Sequence, residues 1–211
     1  MSDTKEKLLD GALLAVRTHG IAGVSARTVA AAAGVNQALV FYHFGTLDAL
    51  LAQACQRATR ARVDAYRDRF ATVGSLRELL DLGRELHTAE RRLGHVTVLA
   101  QLLAGAQADA RLAEPVAAAL GLWTAEIEAV LHRVLTGSPL ADLADPGGLA
   151  RAVSAAFVGL ELFEGVDPAG AGAALDALER LAVLVDVVED LGPVARRALR
   201  ARTRKARSSR T

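Results

Sequence analysis

The chain has 211 residues, 52% of them apolar, which is ample for a core and excludes disorder throughout. Lysine and arginine total 25 against 24 acidic residues, a formal charge of +1, so any affinity for nucleic acid must rest on charge placement rather than on the total. The single cysteine, Cys55, excludes an internal disulfide framework. No apolar run reaches the length of a membrane span, and the N-terminus lacks an apolar signal region, so a cytoplasmic protein without a membrane partner is expected.

The charge is unevenly spread. Residues 1–70 carry 9 basic and 6 acidic side chains, residues 71–193 carry 8 and 18, and residues 194–211 carry 8 and none. A mildly basic front, an acidic middle and a basic end select different partners, which implies at least two functional regions. The end, from Arg196 to Arg210 in a Ser, Thr and Ala background, reads as a disordered basic tail.

Helical period runs through almost every window. Leu8, Leu9, Ala12, Leu13 and Val16 form one apolar stripe, and no convincing alternating strand appears. The spacing predicts front helices over 4–19, 26–33 and 36–43. Helix four is expected over about 46–70, bridging to a larger helical part. Further starts are marked by the capping box Ser75 to Glu78, by Pro115 after Glu114, and by Asp145-Pro146. Breaks are expected near 20–24, 34, 45, 72–75, 92–95, 111–115, 136–145 and 165–172, which gives about nine helices. The fold class is all-α, with an N-terminal three-helix domain at 1–47, a larger C-terminal helical domain at 48–193 and the basic tail at 194–211.

Gly34 and Val35 separate the second and third helices, which is helix-turn-helix spacing. Close crossing needs a small residue at the contact and a turn that tolerates positive φ, and Ala30 and Gly34 supply these. Val29, Ala33, Val35 and Val40 then point inward, while Asn36, Gln37 and Tyr42 stay exposed. Phe41 and Phe44 are expected in the core. Gln37 can bond bidentately to adenine, Arg27 can reach guanine or a phosphate, and Tyr42 and His43 can donate to phosphate oxygens. Thr46 is expected to cap helix four and leave its amide end to a backbone phosphate, with Asp48 nearby as a competitor.

From Thr4-Lys5-Glu6-Lys7-Leu8-Leu9-Asp10 through Tyr42-His43-Phe44-Gly45-Thr46-Leu47-Asp48-Ala49-Leu50-Leu51, about a quarter of the chain resembles the TetR family of bacterial transcriptional regulators. The shared features are the amphipathic first helix, the lead-in Gly20-Ile21-Ala22-Gly23-Val24-Ser25, the Ala-Gly-Val turn, an aromatic-rich end to the third helix and an Ala-Leu-Leu opening of helix four. The resemblance places Arg27, Gln37, Ala38, Leu39, Phe41, Tyr42 and His43 at positions that commonly contact DNA. Leu39, Phe41 and Leu47 depart from the residue types usual there. The contacts expected to matter are therefore Arg27, Asn36, Gln37, Ala38, Tyr42, His43 and Thr46, on a double-stranded operator.

In 149–163, Leu149, Val153, Ala156, Leu160 and Phe163 recur at 4-3-4-3 spacing, and Leu178, Leu181, Val185 and Val188 continue such a seam in the next helix. Pairing these seams across a two-fold axis makes a homodimer the economical reading. The resemblance also implies a small-molecule pocket within about 75–136. Polar or aromatic residues interrupting apolar stripes are its candidate lining: Phe70, His87, His95, Gln101, Gln107 and Trp123, and a hydrophobic effector suits them.

Enzyme chemistry finds no constellation. His87 to Glu90 and Glu128 to His132 supply neither a paired Glu-x-x-His nor a His-Glu-x-x-His, so no metal or cofactor is expected. Gly165 to Gly172 lacks a preceding strand and a P-loop lysine, and Cys55 reads as a small packing residue. The expectation is a ligand-responsive DNA-binding regulator, a repressor. The alternative is a helical small-molecule-binding protein that no longer reads DNA.

Overall fold

The apolar stripe at Leu8, Leu9, Ala12 and Val16 is buried in α1 (Asp3–His19), whose first turn carries Asp3 and Glu6 and whose last turn carries Arg17 and His19, each matched to the helix dipole. A 3-10 turn, Ile21–Gly23, leads into α2 (Ala26–Ala33). Ser25 and Thr28 close a reciprocal cap on α2: the Ser25 hydroxyl accepts from the Thr28 amide at 3.1 Å, and the Thr28 hydroxyl accepts from the Ser25 amide at 2.8 Å. There follow α3 (Ala38–Phe44), α4 (Leu47–Thr72), α5 (Leu76–Leu93), α6 (His95–Ala108), α7 (Ala110–Leu135), α8 (Pro146–Glu164) and α9 (Pro168–Glu189). The computed structural model describes residues 3–136, 138, 141, 145–189, 191–195, 197–199 and 201, without the side chains of 96, 181, 182, 185, 186, 188 and 189. Among the described residues the fold is all-α, with nine α-helices up to Glu189 and no strand, as expected.

Besides the start of the third helix, three boundaries differ from the sequence reading. The break expected at 111–115 sits at Asp109, whose carboxylate accepts from the Arg111 amide at 3.0 Å and starts α7 early enough that Pro115 falls inside the helix. The break at 165–172 is shorter, because Asp167 accepts from the Gly170 amide at 2.9 Å and α9 begins at Pro168. In the basic tail, 194–195, 197–199 and 201 are helical rather than disordered, and 196, 200 and 202–211 lie outside the described residues. The Ser75 and Asp145 side chains cap the amides of Glu78 and Gly148 as expected, but the Glu78 carboxylate closes on the Gly74 amide at 2.8 Å rather than on that of Ser75.

The chain divides into two compact units that do not follow a single cut in the sequence. One comprises Met1–Ala65 with Thr88–Leu122, and the other Tyr66–His87 with Trp123–Thr211. In the first, α1 packs against α2, and α6 packs against α1 and the 3-10 turn. Its core is built on Leu8, Val16, Val29, Val40 and Leu50. Gly11 lets α1 and α2 meet closely: a Cβ there would lie 2.8 Å from the Ala33 Cβ, 2.9 Å from the Ala33 amide nitrogen and 3.0 Å from the Val29 carbonyl oxygen. Beside this core, Cys55, Leu102, Val116 and Ala119 form a smaller cluster. Burial pushes the Cys55 thiol up from its ordinary value, against a weaker opposing hydrogen bond from Thr59.

The second unit has its own core around Phe70, Leu82, Val130, Leu131 and Ala150. Arg133 of α7 donates to the carbonyls of Phe70 at 2.7 Å and Val73 at 2.9 Å, which closes the C-terminal end of α4. Here α8 packs against α9.

Candidate nucleic-acid interface

Two short helices and the turn between them position the exposed edge. Gly34 adopts φ 66°, and its amide reaches the carbonyls of Ala30 and Ala31, ending α2 in the left-handed conformation that glycine favours. Val29 and Val40 are fully buried beneath the turn, and Ala33 and Val35 pack against the same core. The third helix begins at Ala38 rather than at 36, because the Asn36 side-chain oxygen accepts from the Ala38 amide at 2.8 Å. Asn36 is therefore exposed but spends its acceptor on the backbone, leaving its side-chain amide as the group that can face a base.

Arg27, Gln37, Ala38, Tyr42 and Thr46 are exposed and His43 is half-buried, as a contact surface requires. Tyr42 is 81% exposed, with its ring edge-on to His43 at 4.9 Å. Phe44 is buried as expected, and the Lys5 ammonium lies 5.3 Å from its ring centre. Phe41 departs from the expectation of a core residue: it is 51% exposed. The reason is helical phase, since Val40 and Phe44, four apart, already fill the inward face and turn position 41 outward beside Tyr42. Leu39, in contrast, packs against the core.

Thr46 caps α4 by accepting from the Ala49 amide at 3.1 Å. Asp48, the expected competitor for a phosphate at this helix end, is met by the Arg111 guanidinium at 3.0 Å. Arg111 also bonds to Asp109 and holds that carboxyl below its ordinary range. The α4 terminus thus carries a cation that the front segment does not contain, and no signal within residues 1–50 points to it.

The candidate pocket residues fall into separate groups. In the second unit, Trp123 lies 6.2 Å from the rings of both Tyr66 and Phe70. His87 of that unit is buried against Phe157 and faces Glu161 and Glu164. In the first unit, His95 bonds to Glu90 at 2.7 Å, and Glu90 also takes the Arg62 guanidinium. Gln101 accepts from the Ile21 amide at 3.1 Å and so ties α6 to the lead-in of the helix-turn-helix. Gln107 is exposed. Glu161 and Glu164 were not legible as partners of His87, and the only sequence signal is two acids three apart in the apolar run of α8.

Of the seam residues, Leu149, Val153, Ala156, Phe163 and Leu178 are exposed in the single chain and Leu160 is half-buried, while the side chains of Leu181, Val185 and Val188 lie outside the described residues.

Residues 8–54 match the model of the bacterial regulatory proteins, tetR family. Over this front segment the chain is similar to the TetR family. Comparison with curated proteins finds no match. Among solved structures, a protein from Rhodococcus sp. described as a TetR-family transcriptional regulator shares 25% identity at a TM-score of 0.70, over 90% of this chain and 100% of its own. The multidrug binding protein EbrR, solved with imidazole, shares 29% identity at a TM-score of 0.62, over 86% and 96%. The regulator FadR from Bacillus subtilis, solved with stearoyl-CoA, shares 11% at a TM-score of 0.66, over 83% and 96%, a likeness of fold alone. The TetR-like fold, a helix-turn-helix front domain with a larger helical remainder, agrees with the sequence expectation. Among the described residues no single helix is long and apolar enough to cross a membrane.

Proposed function

We propose that the chain is a repressor that binds a palindromic operator as a homodimer and releases it when a small hydrophobic effector binds. The observation that carries this reading is the edge of α3 and its lead-in turn, where Gln37 and Tyr42 project from a buried support of Val29, Val40 and Phe44. Gln37 is the base reader, Arg27, Tyr42 and His43 position the backbone, and the Thr46 end of α4 takes a phosphate beside Arg111. Residues 1–47 then serve DNA, 48–193 the effector and the partner subunit, and 194–211 add basic charge.

Homodimerisation is supported by the uncovered apolar side chains of α8 and α9. A two-fold axis through them would set two recognition helices about 34 to 36 Å apart, one helical turn of DNA. The aromatic group of Tyr66, Phe70 and Trp123 suits a hydrophobic effector. Release follows from linkage: an effector that prefers the conformation unable to span the operator weakens DNA binding by the same differential free energy, and about 1 to 3 kcal/mol corresponds to roughly 5- to 150-fold. The bond from Gln101 to Ile21 gives α6 a direct hold on the lead-in to the recognition unit, alongside α4.

The test is selection of bound duplexes from a random pool, followed by titration of the winner with Gln37→Ala and His43→Ala. Gln37→Ala is expected to cost about 1 to 3 kcal/mol and to relax one base position, while His43→Ala weakens all sequences alike. Failure to enrich any sequence at low salt would favour a helical small-molecule-binding protein, a reading that the inward turn of Leu39 supports by removing one expected contact.

A further inference from the structure

In the second unit, His87 of α5 lies between two carboxylates of α8. Its Nδ1 faces the Glu161 Oε1 in a short contact, and its Nε2 lies 2.9 Å from the Glu164 Oε2. The three side chains are 9%, 5% and 11% exposed. One ligand atom from each of the three residues lies within 4.8 Å of the other two. We propose that His87 Nε2 and the Glu164 carboxylate ligate one divalent first-row transition-metal ion, with Glu161 holding the His87 ring in place, a site independent of the DNA-binding reading.

Geometry and charge both support it. Two ligands on one metal at bonds of about 2.0 to 2.1 Å stand roughly 2.8 to 3.4 Å apart for bond angles between about 90° and 110°, so the separation of Nε2 and Oε2 admits a cation on their common side with at most a small adjustment. Coordination through Nε2 leaves the Nδ1–H donating to Glu161. That is the carboxylate–histidine–metal arrangement in which the second carboxylate fixes the tautomer and strengthens the ligand. Of these three groups, a protonated imidazole and two carboxylates sum to −1, whereas a neutral imidazole, two carboxylates and a divalent ion sum to zero. In a site this buried, the neutral sum is the better solvated state. One imidazole with carboxylate oxygens suits Zn²⁺, Mn²⁺ or Fe²⁺ better than a thiolate-seeking ion, and the buried Cys55 belongs to the other unit. The two acids sit three apart on one face of α8, so they converge on α5 without any change in the backbone. The expectation of no metal from sequence rested on local motifs, and this set is split across 74 positions in the chain.

Isothermal titration of the purified full chain with ZnCl₂, after chelation and in the absence of DNA, tests the site. One Zn²⁺ per chain is expected, with a raised melting temperature at saturation. Glu164→Gln and His87→Asn should each weaken binding by at least about tenfold, and Glu161→Gln by about 10- to 100-fold through loss of the orienting bond. His132→Ala serves as the control, because His132 and Glu128 form an exposed pair 3.8 Å apart. Glu164→Gln is nearly isosteric, so its far-UV circular dichroism separates lost binding from lost folding. Co²⁺ bound at the site should give visible ligand-field bands that Glu164→Gln removes. The proposal is overturned by no binding at micromolar Zn²⁺, by affinity unchanged in folded Glu164→Gln, or by affinity lost only in His132→Ala. None of these results bears on operator selection, so the two readings fail separately.

Discussion

Gly11→Ala isolates the contact that seats the recognition unit on α1. In an open helix, alanine in place of glycine stabilises by about 1 kcal/mol, because the unfolded chain loses freedom and the helix loses none. At Gly11 the new Cβ meets the Ala33 Cβ at 2.8 Å, the Ala33 amide nitrogen at 2.9 Å and the Val29 carbonyl oxygen at 3.0 Å. Two of these atoms are backbone, so relief requires α1 and α2 to separate rather than a side chain to turn. Overpacking of this kind costs about 1 to 3 kcal/mol, and backbone opposition places it near the upper end. The net expectation is a loss of about 2 kcal/mol. Gly121→Ala is the internal standard: Gly121 lies in α7 of the same unit, and its added Cβ meets nothing within 4 Å. That variant should gain about 0.5 to 1 kcal/mol. For a chain of this size the melting temperature should fall by roughly 4 to 8 °C in the first case and rise by about 1 to 4 °C in the second. Thermal melts by circular dichroism, supported by urea titration, read both. A rise for Gly11→Ala equal to that for Gly121→Ala would refute the close approach of α1 and α2.

Further outcomes follow from side chains already placed. Arg62→Leu leaves the Glu90 carboxylate, 6% exposed, with only His95 of its two named partners, and should cost about 2 to 3 kcal/mol, discounted because Arg62 itself is partly solvated. The double variant with Glu90→Leu should recover part of that loss in urea titrations, and further destabilisation would count against a charge-based cost. Cys55 should react with a thiol reagent at pH 8 far more slowly than free cysteine, and at the ordinary rate once the chain is unfolded in guanidinium. Because its folded value is raised, the neutral thiol contributes stability below the ordinary value and loses it as pH climbs through the folded one, so alkaline denaturation should come later in Cys55→Ala if packing is kept. Val153→Asp with Phe163→Asp should convert the proposed dimer to monomer in sedimentation velocity while leaving far-UV circular dichroism intact, since both residues are exposed in the single chain. An unchanged sedimentation coefficient for a dimeric parent would place the interface elsewhere.

Much of the interface was legible from local rules. The stripe of α1, the Gly34 turn and the inward Val29 and Val40 are dictated within ten or so residues of each position, and they fix which way Gln37 and Tyr42 point. Phe41 was misread because an aromatic residue suggests a core until the phase of Val40 and Phe44 is known. That the Asn36 side-chain oxygen is taken by the Ala38 amide was not legible, because it depends on where α3 begins.

Periodicity, caps and turn residues thus determined that this chain is helical, where most of its helices start and stop, and which edge of the front domain faces outward, since each depends on neighbours a few bonds or one helical turn away. Only the tertiary structure decided what meets across long separations: Gly11 against Ala33, Gln101 on the Ile21 amide, Arg111 beside Asp48, and His87 between Glu161 and Glu164. Such pairs leave no local trace, because a carboxylate on an apolar helix looks the same in sequence whether it faces water, an arginine or an imidazole. Burial and distance, which set its chemistry, come into being only when the helices pack.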